Sequence, residues 1–132
     1  MLERALPVLG AGGLVQRRRL LIQTAFGGPG ARDGFELVTR AVTDRRFTID
    51  PALGRPEQGR ARERFVFRLA CADREVTLTV REGFVTDEFI DLARREHRSA
   101  EQERELAALK ADMAGRVMSA PGAAVYDLTS SA

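Results

Sequence analysis

Apolar and polar positions alternate with a period of two through the middle of the chain. Over residues 64–71, Phe65, Phe67, Leu69 and Cys71 alternate with Arg64, Val66, Arg68 and Ala70. Over residues 76–81, Val76, Leu78 and Val80 alternate with Thr77, Thr79 and Arg81. That period belongs to a strand with one buried face. A loop over residues 72–75 sets Cys71 opposite Val76, Leu69 opposite Leu78 and Phe67 opposite Val80. Both apolar sets then fall on one face of an antiparallel hairpin.

Glycine clusters at residues 10–13 and 27–30 bracket a largely apolar stretch and read as turns, and residues 19–26 between them read as a strand. Residues 35–43 and 46–49 read as two more strands joined through Asp44 and Arg45, with a proline-containing loop over residues 51–58. Helix signals begin at Thr86, an N-cap residue followed by Asp87 and Glu88, with Val85 and Ile90 placed as a hydrophobic staple. Phe89, Ile90, Leu92 and Ala93 provide an apolar patch for a helix over residues 87–98. Ser99 and Gln102 have capping-box spacing, so a second helix can start there, carrying a stripe of Leu106, Leu109, Met113 and Val117 that ends before Pro121. The expected fold is α+β: an antiparallel sheet of four or five strands followed by one or two C-terminal amphipathic helices. It forms a single domain over residues 1–118, in which residues 1–13 are flexible, and is followed by a flexible tail at residues 119–132. Within that tail, Val125, Tyr126 and Leu128 have the character to add to a sheet edge.

Composition narrows the function classes. The 132 residues are 44% apolar and 30% charged, the usage of a globular chain long enough to bury a core without covalent staples. No apolar run approaches the roughly 20 residues of a membrane-spanning helix. Arg17, Arg18 and Arg19 precede Leu20, Leu21 and Ile22, but Gln23 and Thr24 interrupt the apolar run, so an export signal is not expected. One cysteine excludes an internal disulfide, and a cytoplasmic location is expected. Absence of Trp and the presence of one Tyr argue against base or sugar stacking as the main device. Charge is split along the chain: residues 1–70 hold 13 Arg against 7 acids, whereas residues 71–132 hold 8 basic residues against 12 acids.

That basic half yields one candidate surface. Arg60, Arg62, Arg64 and Arg68 share one parity and, on an extended strand, line the face away from the core, with Arg68 facing Thr79. Arg17, Arg18, Arg19, Arg62, Arg64, Arg68 and Arg81 are thus candidate contacts for anions or nucleic acid, against the plainer reading of a solvated sheet face. A second candidate surface is the stripe of Leu106, Leu109, Met113 and Val117, which needs a burial partner in this chain or in another. Catalytic signals are weak. His97 and Glu101 are spaced one helical turn apart, but Arg94, Arg95 and Arg98 crowd them and oppose a cation; Cys71 alternates with core residues and reads as a buried thiol. Neither glycine cluster fits a phosphate-binding loop, since no Lys occurs before Lys110. The expectation is therefore a non-catalytic protein-binding or assembly module without cofactor or metal, acting as an oligomer or small subunit through its C-terminal helix. The alternatives are an Arg-mediated nucleic-acid binder and a small enzyme or metal protein using His97 or Cys71.

Overall fold

The central hairpin forms as its alternation dictates, from β3 (Val66–Cys71) and β4 (Arg74–Val80). The computed structural model, which describes residues 1–10 and 15–131, places three further strands around it. These are β1 (Leu21–Thr24), β2 (Phe47–Ile49) and β5 (Tyr126–Ser131), in the spatial order β2-β1-β3-β4-β5. The sheet is mixed rather than antiparallel throughout: β1 and β2 run parallel, and the remaining pairs are antiparallel. Among the described residues the α-helices are α1 (Leu2–Leu9), α2 (Pro29–Thr39), α3 (Asp87–Ala93), α4 (Ala100–Met118) and α5 (Gly122–Val125); helices were expected only at the C-terminal end, and they are not confined to it.

A parallel pair needs a crossover, and α2 supplies it. The segment expected as a strand over residues 35–43 is thus mostly helical. Its alternating residues misled the period count, whereas Pro29 in the first turn and Gly28 at the N-cap are proper helix-start residues. As a helix it buries Phe35 and Thr39, one turn apart, and leaves Leu37 and Val38 exposed. The Phe35 ring lies about 6 Å from both Phe47 and Phe67, which seats the crossover on the sheet. Arg40 ends α2 in a left-handed conformation. The Glu36 carboxylate accepts the Thr43 N–H at 2.9 Å and the Thr43 hydroxyl, and these bonds hold its pKa below the ordinary glutamate value.

Hairpin register differs from expectation by two residues. Leu69 pairs with Val76, Phe67 with Leu78 and Cys71 with Arg74, because the turn uses only Ala72 and Asp73. A shift of two leaves every side chain on its expected face, so the apolar pattern could not discriminate the two registers. The inner face carries Ile22, Phe67, Leu69, Val76 and Leu78, which are buried with Ala5 and Leu9 of α1 and with Phe35 of α2. Residues 2–9, expected to be flexible, are therefore a core helix; residues 11–13 lie outside the described residues. A second cluster of Ala61, Val80, Val85, Ile90 and Val125 continues the core where β3 begins and β4 ends, and Phe65 and Tyr126 pack against both clusters.

The helical segment divides in two. Thr86 caps α3 by accepting the Phe89 N–H at 3.2 Å, and Val85 and Ile90 of the expected staple share one cluster. Ser99 and Gln102 form the complete capping box of α4. Between them the Arg98 guanidinium donates to the carbonyls of Ala93 and Arg95, at 3.2 and 3.0 Å, and closes the end of α3. The segment expected as a flexible tail holds α5 and β5, and β5 pairs with β4 from Tyr126 opposite Val80 to Ser131 opposite Glu75. Among the described residues, no helix is long and apolar enough to cross a membrane.

Candidate functional site

Pairing across the sheet fixes which residues share its outer face. One row runs through all five strands as Thr48, Gln23, Arg68, Thr77 and Thr129; the neighbouring row includes Leu21, Ala70 and Glu75. Arg68 therefore faces Thr77, not Thr79 as expected. Arg68 does lie on the outer face as its parity implies, and its Nε donates to Gln23 Oε1 at 2.7 Å. The Glu75 carboxylate stands 3.9 Å from the same nitrogen.

The other arginines of the expected basic surface do not join that row. β3 begins at Val66, so Arg60, Arg62 and Arg64 precede it in a turn. Arg60 pairs with Asp91 at 2.7 Å, Arg62 donates to the Val80 carbonyl at 3.2 Å, and Arg64 is exposed. Arg81 pairs with Asp127 at 2.8 Å. Arg17, Arg18 and Arg19 form a 3₁₀ turn before β1 with Arg18 and Arg19 exposed; the Arg17 side chain lies outside what is described. Among the described side chains, these arginines form no continuous basic track along the hairpin.

Two arginines expected in a connection and at a strand start, Arg45 and Arg46, instead share a depression with Arg68. All three line a shallow depression of about 180 Å³ on the outer face, together with Leu21, Gln23, Thr48, Ala70 and Glu75. Arg46 is the most fixed of them. Its Nη1 donates to the Leu20 carbonyl, and its Nη2 donates to the Thr39 carbonyl at 2.8 Å and to Asp44 at 3.3 Å. One side chain thus ties the residue before β1 to the last turn of α2. Arg45 is left-handed, with φ of 58°, and exposed; among the described residues its side chain makes no hydrogen bond or ion pair. The only sequence signal for the pair was two adjacent arginines directly before a strand.

The remaining candidates are dispersed. His97 is exposed in the connection between α3 and α4, so it does not share a helix with Glu101. No group of three His, Cys, Asp or Glu side chains among the described residues is placed to hold a metal ion. Cys71 is half-buried against the first core cluster, opposite Arg74 in the hairpin. Of the α4 stripe, Leu106 is buried, Met113 and Val117 pack against the second cluster of this chain, and Leu109 is half-buried. Met118, outside the stripe, is 84% exposed.

The sheet ends on β2 and β5, and β5, with six residues against three, is the longer of these two edge strands. Its other side is bonded to β4, and Arg81 N–H donates to the Val125 carbonyl at 2.7 Å just before the strand begins. Bonding alternates along an antiparallel pair, so residues 127, 129 and 131 bond to β4 while Leu128 and Ser130 direct their N–H and C=O groups outward; at Tyr126 the N–H is held by the Gly122 carbonyl of α5 and the C=O remains at the edge. Burial pushes the Tyr126 phenol pKa above its ordinary value. Compared with known family models and with curated proteins, the sequence matches none.

Proposed function

We propose that this chain is a protein-binding and assembly module whose partner is a second copy of itself, joined through β5. The observation that carries this reading is the open edge of β5 at the end of the sheet. Open edges are usually protected by Lys, Pro, a bulge or a short strand, and β5 has six residues with neither Lys nor Pro among them. Its single charge, Asp127, is already paired with Arg81.

Two-fold pairing is chemically self-consistent at this edge. With Leu128 on the axis, Leu128 meets Leu128 of the second copy, Tyr126 meets Ser130, and Asp127 meets Thr129. No like charges oppose each other; across the axis Leu128 exchanges N–H and C=O bonds with Leu128 of the second copy and the Ser130 N–H donates to the Tyr126 carbonyl, while the Tyr126 N–H stays with Gly122. Strand pairing alone covers less than the roughly 1,000 Å² of a durable interface, so the association is concentration-dependent. The stripe on α4, first considered as the contact element, has already spent Met113 and Val117 on this chain's own core.

Light scattering from micromolar to millimolar concentration tests the proposal, with Ser130→Pro as the edge variant. Proline there removes an outward donor and leaves the β4 ladder intact, so a monomer of unchanged melting temperature is expected. A wild-type chain that stays monomeric throughout would sink the assembly reading. A dimer equally populated in Ser130→Pro keeps assembly but rejects β5 as its site.

A further inference from the structure

We infer that the outer-face depression over β1, β2 and β3 binds a single oxyanionic group of phosphate type, with Arg45 and Arg68 as its cationic contacts and Gln23 and Thr48 as neutral donors. This inference is independent of the β5 proposal. Its basis is the way the guanidinium groups are held. Arg68 is oriented by a neutral acceptor, Gln23 Oε1 at 2.7 Å, while its carboxylate neighbour Glu75 is at 3.9 Å. A neutral acceptor fixes direction without cancelling charge. Two of the three acceptors of Arg46 are likewise backbone carbonyls. Arg45, exposed and without a side-chain partner among the described residues, completes a lining with three guanidinium groups against one carboxylate.

The neutral groups complement that charge. Because Gln23 spends its oxygen on Arg68, its amide N–H₂ remains available to donate. Thr48 is adjacent in the same row and exposed, so its hydroxyl can donate as well. The depression of about 180 Å³ suits one tetrahedral oxyanion with its waters and not a nucleoside or a strand of nucleic acid. Glu75 is the repulsive element, and it makes the proposal sensitive to sign. Removing a contact should weaken binding, while neutralising Glu75 should strengthen it.

Calorimetric titration of the intact chain with inorganic phosphate tests this, with amide chemical shifts reporting location and a single-stranded oligonucleotide as a parallel arm. Saturable binding is expected, with the largest shifts at Gln23 and Thr48. Arg45→Ala, which removes a side chain with no hydrogen bond or ion pair among the described residues and leaves the backbone bond to Val42 in place, should lose affinity roughly tenfold, about 1.4 kcal/mol. Glu75→Gln should gain roughly threefold or more. No saturation by phosphate, or saturation that neither variant alters, would overturn the inference. Oligonucleotide binding that phosphate does not displace would overturn it too, because the anion-binding surface would then lie elsewhere.

Discussion

Replacing Arg46 by Met tests the physical account of the crossover. Methionine keeps an unbranched apolar stem of similar reach but removes every donor. The Arg46 side chain is only 12% exposed, and two of its acceptors, the carbonyls of Leu20 and Thr39, belong to residues that are 1% and 3% exposed. A hydrogen bond from a charged donor contributes about 1.5–3 kcal/mol, and a buried acceptor left unpaired costs about 1–3 kcal/mol. Residual access of water to the carbonyls offsets part of this, and the Asp44 pair, with Asp44 37% exposed, adds at most about 1 kcal/mol. A loss of about 3 kcal/mol is expected. In urea, where a small domain loses about 1–3 kcal/mol of stability per molar, the midpoint should fall by about 1–3 M with an unchanged slope. Arg46→Lys, able to reach one carbonyl at a time, should fall between Met and wild type. Arg60→Met is the control: its pairs to Asp87 and Asp91 are more than half exposed, so a change within about 0.5 kcal/mol is expected. An Arg46→Met loss under about 1 kcal/mol would show that the carbonyls find other donors and that this side chain does not hold the crossover.

Two further outcomes follow from local geometry. Ala72 sits left-handed in the hairpin turn, with φ of 56°, so Ala72→Gly should stabilise the chain by about 0.5–1 kcal/mol in the same urea assay; a loss of stability would contradict the turn assignment. Tyr126 is the sole tyrosine, in a chain without Trp, so phenolate absorbance reports it alone. Burial raises its folded pKa above the unfolded value, so the neutral phenol's contribution is complete below the unfolded pKa and is lost as pH rises through the folded one. Titration should therefore begin later in the folded chain than in urea, and Tyr126→Phe should flatten the alkaline fall in stability. Coincident folded and unfolded titrations would refute the burial.

The parts of the fold readable from sequence were those whose signals are local. The face of each hairpin residue followed from period two, and the Thr86 cap and the Ser99–Gln102 capping box followed from side chains that bond backbone within one turn. What failed depended on distant partners. Phe35 and Thr39 alternate like strand residues, and only the parallel pairing of β1 with β2 demands a helix between them. Pro7 lies inside α1, and nothing local says that Ala5 and Leu9 will meet Val76 and Leu78. β5 contains Asp127, Thr129, Ser130 and Ser131, and its polar composition is that of an edge rather than a core strand. The site was less legible still. Parity found Arg68, but its association with Arg45 and Arg46 depends on a left-handed turn and on a crossover whose local start signal, Gly28 and Pro29, says nothing of where the chain returns to the sheet.

The two proposals make a joint structural demand. A two-fold axis perpendicular to the sheet at β5 keeps both outer faces on one side, so pairing neither covers the depression nor turns it away. From β1 of one copy to β1 of the other there are seven strand spacings, or roughly 34 Å at about 4.8 Å each before twist. Each depression therefore binds its anion as an independent site, and phosphate affinity is insensitive to protein concentration. A ligand carrying two such groups at that span gains affinity only in the dimer, because the second contact becomes intramolecular. Ser130→Pro removes that gain and preserves single-phosphate binding, whereas Arg45→Ala weakens both and leaves the dimer intact. The outer face is thus compatible with the proposed assembly: an edge that joined copies in the plane of the sheet would leave the polar row across it free for ligand.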